Sequence, residues 1–95
     1  ELVQEISALA VTNIGRDMEE LAQAIQAEDW SQVRRLSHRM KGAAANSGAQ
    51  RMSALAARME DQAQSQAAGQ VKELYPPLVE TWQQTQTAMQ DWLAE

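Results

Sequence analysis

Apolar residues recur at helical spacing along nearly the whole chain, and this pattern limits the possible fold more than any other feature. In the first segment they lie three to five positions apart, at Leu2, Ile6, Leu9, Ile14, Met18, Leu21 and Ile25. This stripe predicts one amphipathic helix from residue 2 to about residue 27. The composition agrees, because Ala and Gln are abundant, Phe is absent and little β-branched or aromatic material is available for strands.

Capping and turn residues predict the bounds of the second and third helices. Asp29 is a favourable N-cap, with Gln32 as its capping-box partner, for a helix over residues 30–46. Gly48 follows, where helices often end in a left-handed residue, so a third helix is expected to begin at residue 49 or 50. Its apolar stripe consists of Met52, Leu55, Ala56, Met59 and Ala63.

The start of the fourth helix stays open between two alternatives. Residues 64–70 are polar and small, with Gly69 as the expected break. Since proline suits a first helical turn and disturbs a helix interior, the helix begins near Pro76, or it begins near Gln70 and kinks at Pro76 and Pro77. Its apolar residues are Val71, Leu74, Leu78, Trp82, Met89 and Leu93. Four amphipathic helices with short connections predict an all-α, up-down-up-down antiparallel four-helix bundle, with residues 1–95 as a single domain.

Composition narrows the range of functions. Without cysteine the chain has no disulfides, thiolate zinc sites or cysteine nucleophiles, and the formal net charge of -5 makes nucleic acid a poor partner. No long apolar run or signal peptide is visible, so we expect no direct membrane contact and a cytoplasmic location. The start at Glu1, without Met, suggests a piece of a longer protein. Whether that parent is anchored in the inner membrane stays open. We expect the isolated domain to be monomeric.

The only histidine, His38, lies on the polar side of the predicted second helix. On a helical wheel the apolar side carries Trp30, Val33, Leu36, Met40, Ala43, Ala44 and Ser47. Around His38, on the other side, lie Ser31, Arg34, Arg35, Lys41, Gly42 and Ala45. The neighbours of the histidine are thus mostly basic or small.

This pattern fits a histidine that carries a phosphoryl group. A basic side chain one turn away, Lys41, would stabilise the negative charge of that group, and Gly42 would leave room for an approaching protein. No carboxylate lies three or four residues from His38, so we predict no metal site. The wheel alone leaves a merely solvated histidine equally open.

The segment His38-Arg39-Met40-Lys41-Gly42-Ala43-Ala44-Ala45-Asn46-Ser47-Gly48, followed by Met52 and Leu55, resembles the signature of histidine-containing phosphotransfer (HPt) domains. The resemblance is close over the second and third helices. It implies that His38 is phosphorylated, that Lys41 lies beside the phosphoryl group, and that Gly42 keeps the approach open. In the family a Gln or Glu 22 residues after the histidine often bonds the imidazole; here that residue is Glu60, which could equally be a solvated carboxylate.

The resemblance also implies partners and a mechanism. The histidine would take a phosphoryl group from the aspartate of a response-regulator receiver domain and pass it to another receiver, which would contact Arg34, Arg35 and Ala45. Mg²⁺ would be supplied by the receiver, so no cofactor of this chain is expected. With no glycine-rich nucleotide loop, the domain should not bind ATP or phosphorylate itself.

Three contexts remain open for such a domain. It could be the C-terminal domain of a hybrid sensor histidine kinase, which we favour, or the phosphorylation domain of a chemotaxis-type kinase. A third alternative is a non-catalytic helical module that only binds receivers.

Overall fold

Four α-helices joined by three-residue turns make up the protein in a computed structural model that describes the backbone of residues 2–94 and the side chains of residues 8–91. The helices are α1 (Leu2–Gln26), α2 (Trp30–Asn46), α3 (Gln50–Gln64) and α4 (Ala68–Ala94). Each helix packs against the next, and α1 also packs against α4. Across the described residues, no Cα atoms of the diagonal pairs α1–α3 and α2–α4 lie within 8 Å of each other. This arrangement confirms the predicted antiparallel four-helix bundle.

The three turns share one geometry. In each the central residue is left-handed, with φ of 54° at Glu28, 79° at Gly48 and 55° at Gln66. The amide after it reaches back to the helix it leaves; the Ala49 N–H, for example, donates to the Ala44 carbonyl at 2.8 Å. The expected turn at Gly48 is therefore present, and only there does glycine relieve the left-handed strain.

The fourth helix departs from its predicted bounds. The turn between α3 and α4 consists of residues 65–67, with Gln66 at its centre. Gly69 lies in the first turn of α4. The expectation of a break at Gly69 was therefore wrong. Pro76 and Pro77 lie inside the helix, which excludes a start at Pro76. The observed start at Ala68 lies two residues before Gln70, the other predicted start. The two prolines cannot donate backbone hydrogen bonds, which costs helix stability. The free energy gained by burying the apolar side chains of α4 offsets this cost; they are Val71, Leu74, Leu78 and Trp82.

The second helix has the predicted bounds and the predicted N-cap. The Asp29 carboxylate accepts a hydrogen bond from the Gln32 amide at 3.2 Å. The reciprocal half of the capping box is absent, because the Asp29 N–H already donates to the Ala24 carbonyl at 2.9 Å. The Gln32 side-chain oxygen accepts two hydrogen bonds from Arg35 instead.

Side chains from all four helices form one apolar core. Its buried members are Ala10, Ile14, Met18, Leu21, Ala24, Ile25, Val33, Leu36, Met40, Ala44, Met52, Ala56, Met59, Ala63, Val71, Leu74, Leu78 and Trp82. Leu9, expected in the α1 stripe, is 61% exposed. At about 1.5 Å per residue α1 is roughly 12 Å longer than α2, so Leu9 lies near the level where α2 ends. Leu2, Ile6 and Leu93 lie outside the side chains described.

Ser37, next to the histidine, is a buried residue that the wheel did not place in the core. Its side chain is fully buried, and its hydroxyl has no hydrogen-bond partner among the described residues. A Ser37→Ala variant is therefore expected to raise the free energy of unfolding by about 1 kcal/mol, because a desolvated, unpaired hydroxyl is removed.

Urea unfolding of the purified domain measures this change. Ser53→Ala is the matched control, since the Ser53 hydroxyl donates to the Lys41 carbonyl at 3.1 Å and its removal should destabilise the protein. A loss of stability in the Ser37 variant as well would contradict this prediction.

Candidate functional site

His38 projects from the exposed face of α2, with its side chain 69% accessible to solvent. The opposite face of the same helix buries Val33, Leu36 and Met40 completely. Burial of that apolar stripe fixes the rotation of α2, so the histidine is held outward by the packing of the core.

Glu60 of α3 binds both His38 and Lys41. One carboxylate oxygen, Oε2, lies 2.8 Å from His38 Nδ1, and the other, Oε1, accepts a hydrogen bond from Lys41 Nζ at 2.8 Å. An ionised carboxylate can only accept hydrogen bonds, so the ring proton resides on Nδ1 in this pairing. The Nε2 lone pair then faces solvent as a nucleophile.

The same contacts keep the carboxylate charged. The hydrogen bond from Lys41 is the main cause that lowers the pKa of Glu60, and the hydrogen bond from His38 adds to it against the opposing effect of burial. Glu60 therefore stays an acceptor at neutral pH and well into the acidic range.

Packing of α2 against α3 brings these groups together. Lys41 lies one helical turn after His38, which places both side chains on one face. The Ser53 hydroxyl joins the two helices again at the Lys41 carbonyl. The site is thus built on two rigid helices, and no loop contributes to it.

A second charged contact fixes α1 against the same helix. Arg39 donates to both oxygens of Asp17, from Nη2 at 2.6 Å and from Nε at 3.1 Å, and a Glu20 carboxylate oxygen lies 3.7 Å from Nη2. The Asp17 side chain is only 3% exposed, and its carboxylate raises the pKa of the Arg39 guanidinium. Sequence reasoning missed this pair. The available signal was an aspartate on the apolar stripe of α1, three residues after Ile14, because a buried carboxylate needs a positively charged partner.

The remaining predicted residues lie on the exposed face around the histidine. Arg34, Arg35, Gly42 and Ala45 are all exposed. A Cβ atom built on Gly42 would meet no atom within 4 Å, so internal packing does not require glycine at this position. With His38 and Lys41 these residues form what we call the histidine face.

The described residues contain neither a metal-binding cluster nor a membrane-spanning helix. Among the described residues, no group of three His, Cys, Asp or Glu side chains converges as a metal site would require. None of the described helices combines the length and the hydropathy needed to cross a bilayer.

Comparison with known protein families identifies the family of the chain. No curated protein and no solved structure matches it significantly. The family model of the Hpt domain matches residues 5–94, which is nearly the whole sequence. Hpt domains carry out histidine phosphotransfer in phosphorelays and interact with response-regulator receiver domains. The helical bundle and the match over almost all its length show that this chain belongs to the Hpt domain family.

Proposed function

We propose that His38 accepts a phosphoryl group from the aspartyl phosphate of a receiver domain and passes it to the aspartate of another receiver. The observation that carries the proposal is the pairing of His38 Nδ1 with Glu60, which leaves Nε2 free on an exposed helix face. An exposed imidazole in this protonation state can attack phosphorus without first losing a proton.

The transfer is a single displacement at phosphorus, in which the imidazole replaces the aspartyl carboxylate. Nε2 forms a bond to phosphorus as the bond from phosphorus to the aspartyl oxygen breaks, and the receiver carboxylate leaves with the electron pair. The imidazole keeps its Nδ1 proton and becomes positively charged. Glu60, 2.8 Å away, stabilises that charge, much as the aspartate of a Ser-His-Asp triad stabilises its imidazolium.

Charge on the transferred group is stabilised from both proteins. Lys41, one turn after the histidine, is a cation on the same helix, and it also binds Glu60. Among the described side chains, no cluster of carboxylates surrounds His38. In the proposed transfer, Mg²⁺ would be held by the acidic site of the receiver.

The histidine face would be the docking surface. Gly42 and Ala45, one and two turns after His38, offer a shallow surface that a partner can approach closely. Arg34 and Arg35 would lie at the edge of the contact and favour an acidic partner surface.

Transfer from a phosphorylated receiver to the purified domain tests the proposal. Wild-type protein should gain an acid-labile phosphate, whereas His38→Gln should gain none and should keep the same unfolding midpoint. Undiminished labelling of the His38→Gln variant would rule out the proposed role. Receiver binding without any phosphate on His38 would favour a module that only binds receivers.

A further inference from the structure

Two of the basic side chains near the histidine are already neutralised within the protein. Lys41 donates to Glu60 at 2.8 Å, and Arg39 binds Asp17 through two hydrogen bonds. Their positive charges are largely balanced before a phosphoryl group arrives. A phosphoryl group on His38 would carry nearly two negative charges, so further positive charge is needed to stabilise it.

Within the part of the chain whose side chains the structure describes, no acidic side chain balances the positive charges of Arg34 and Arg35. Among the side chains of residues 8–91, no carboxylate lies within 4.0 Å of either guanidinium. Arg35 donates instead to the neutral amide oxygen of Gln32, from Nε at 3.0 Å and from Nη2 at 2.7 Å. That contact orients the guanidinium and leaves its charge available.

The direction of helical side chains brings the histidine toward these two arginines. Side chains on a helix tilt toward its N-terminus and lie over the preceding turn. For His38 that turn contains Arg34 and Arg35, four and three residues earlier. Both arginines line one surface depression together with His38 and Glu60, and Lys41 is not part of its lining.

We infer that Arg34 and Arg35 form a phosphoryl-binding site within this domain and bind the phosphoryl group of phosphorylated His38, with Arg35 exchanging its Gln32 contact for a phosphoryl oxygen. This inference rests on the proposed phosphorylation of His38. It gives the two arginines a role in the free domain, separate from docking of a receiver.

Chemical phosphorylation of the domain isolates that role. Phosphoramidate transfers its phosphoryl group to histidine without any receiver, so partner contacts cannot contribute. The ³¹P resonance of the phosphohistidine is then followed against pH in the wild type, in Arg34→Gln/Arg35→Gln and in the control Arg58→Gln. Arg58 is an exposed arginine on α3, outside the depression that contains His38. Glu60 and Lys41 also face the phosphoryl group, but they are the same in every variant.

The double variant should raise the pKa of the phosphohistidine, read from its ³¹P resonance, by about 0.5 pH units, the size typical of exposed ion pairs. Arg58→Gln should titrate like the wild type. Arg35→Lys, which keeps a positive charge, should give a pKa between those of the wild type and the double variant. The Arg35 Nε resonance should also move on phosphorylation. A double variant that titrates like the wild type would overturn the inference.

The outcomes separate this inference from the proposed function. Normal transfer from a receiver, combined with an unchanged titration, would refute the arginine site alone. Phosphorylation by phosphoramidate but by no receiver would refute the relay role. Failure of both reagents to phosphorylate His38 would refute both.

Discussion

Replacement of Arg39 by alanine is expected to lower the free energy of unfolding by about 3 kcal/mol, although Arg39 is 51% exposed. The cost arises at its partner. Asp17 is 3% exposed, and both of its oxygens accept hydrogen bonds from the guanidinium. Without Arg39 the buried carboxylate keeps its desolvation penalty and loses its counter-charge.

Replacement of the partner residue, Asp17, should lower the free energy of unfolding by a smaller amount. In Asp17→Asn the half-exposed Arg39 can turn into water, so a loss of about 1 to 2 kcal/mol is expected. The asymmetry distinguishes a buried acceptor that needs its cation from a surface ion pair, in which both losses would be small.

A double-mutant cycle with urea unfolding measures the pair directly. The double variant Asp17→Asn/Arg39→Ala should be more stable than the sum of the two single losses predicts. Arg34→Ala, which removes an exposed arginine from the same helix, should change stability by less than about 0.5 kcal/mol. Equal small losses for Arg39 and Arg34 would show that the contact with Asp17 contributes little.

Sequence periodicity predicted the helices well where core packing determines them. The wheel of α2 identified Val33, Leu36 and Met40 as buried and His38 as exposed, because one apolar stripe fixes the rotation of a helix. It could not identify Ser37, since a small polar residue at the edge of a stripe carries no hydrophobic signal. Leu9 was misjudged because exposure depends on the lengths of neighbouring helices, which local periodicity does not contain.

The site was predictable only within one helix. Spacing alone places Lys41 beside His38, because residues three apart share a face. Glu60 lies 22 positions later, and the contact with His38 depends on how α2 packs against α3, so only a family resemblance could suggest it. The break at Gln66 was missed for a related reason: the turn geometry tolerates a left-handed glutamine, and Gly69 gave the stronger local signal.

Replacement of Glu60 by alanine is expected to slow phosphoryl transfer to His38 by about tenfold to a hundredfold. The variant loses a charge-assisted hydrogen bond to the ring, and such bonds contribute about 1.5 to 3 kcal/mol. At 1.4 kcal/mol per factor of ten, that loss gives the stated range when the bond acts fully in the transition state. The Nδ1 proton would no longer be fixed, so part of the population would carry the proton on Nε2 and could not attack.

Glu60→Gln tests which property of the carboxylate matters. Glutamine keeps an oxygen acceptor for the Nδ1 proton but cannot balance the positive charge of the ring or bind Lys41 as an ion pair. It should therefore retain the ring tautomer and transfer faster than the alanine variant, though more slowly than the wild type.

Single-turnover transfer from a phosphorylated receiver gives the rates, and ¹⁵N chemical shifts of the His38 ring report the tautomer. A merely structural role of Glu60 would lower stability without changing the ring shifts, so unfolding of each variant in urea is measured alongside. If the alanine variant kept both the wild-type rate and the wild-type tautomer, the imidazole would be oriented by something other than Glu60. Loss of rate with an unchanged tautomer would assign the effect to the carboxylate charge, and the glutamine variant would then be as slow as the alanine variant.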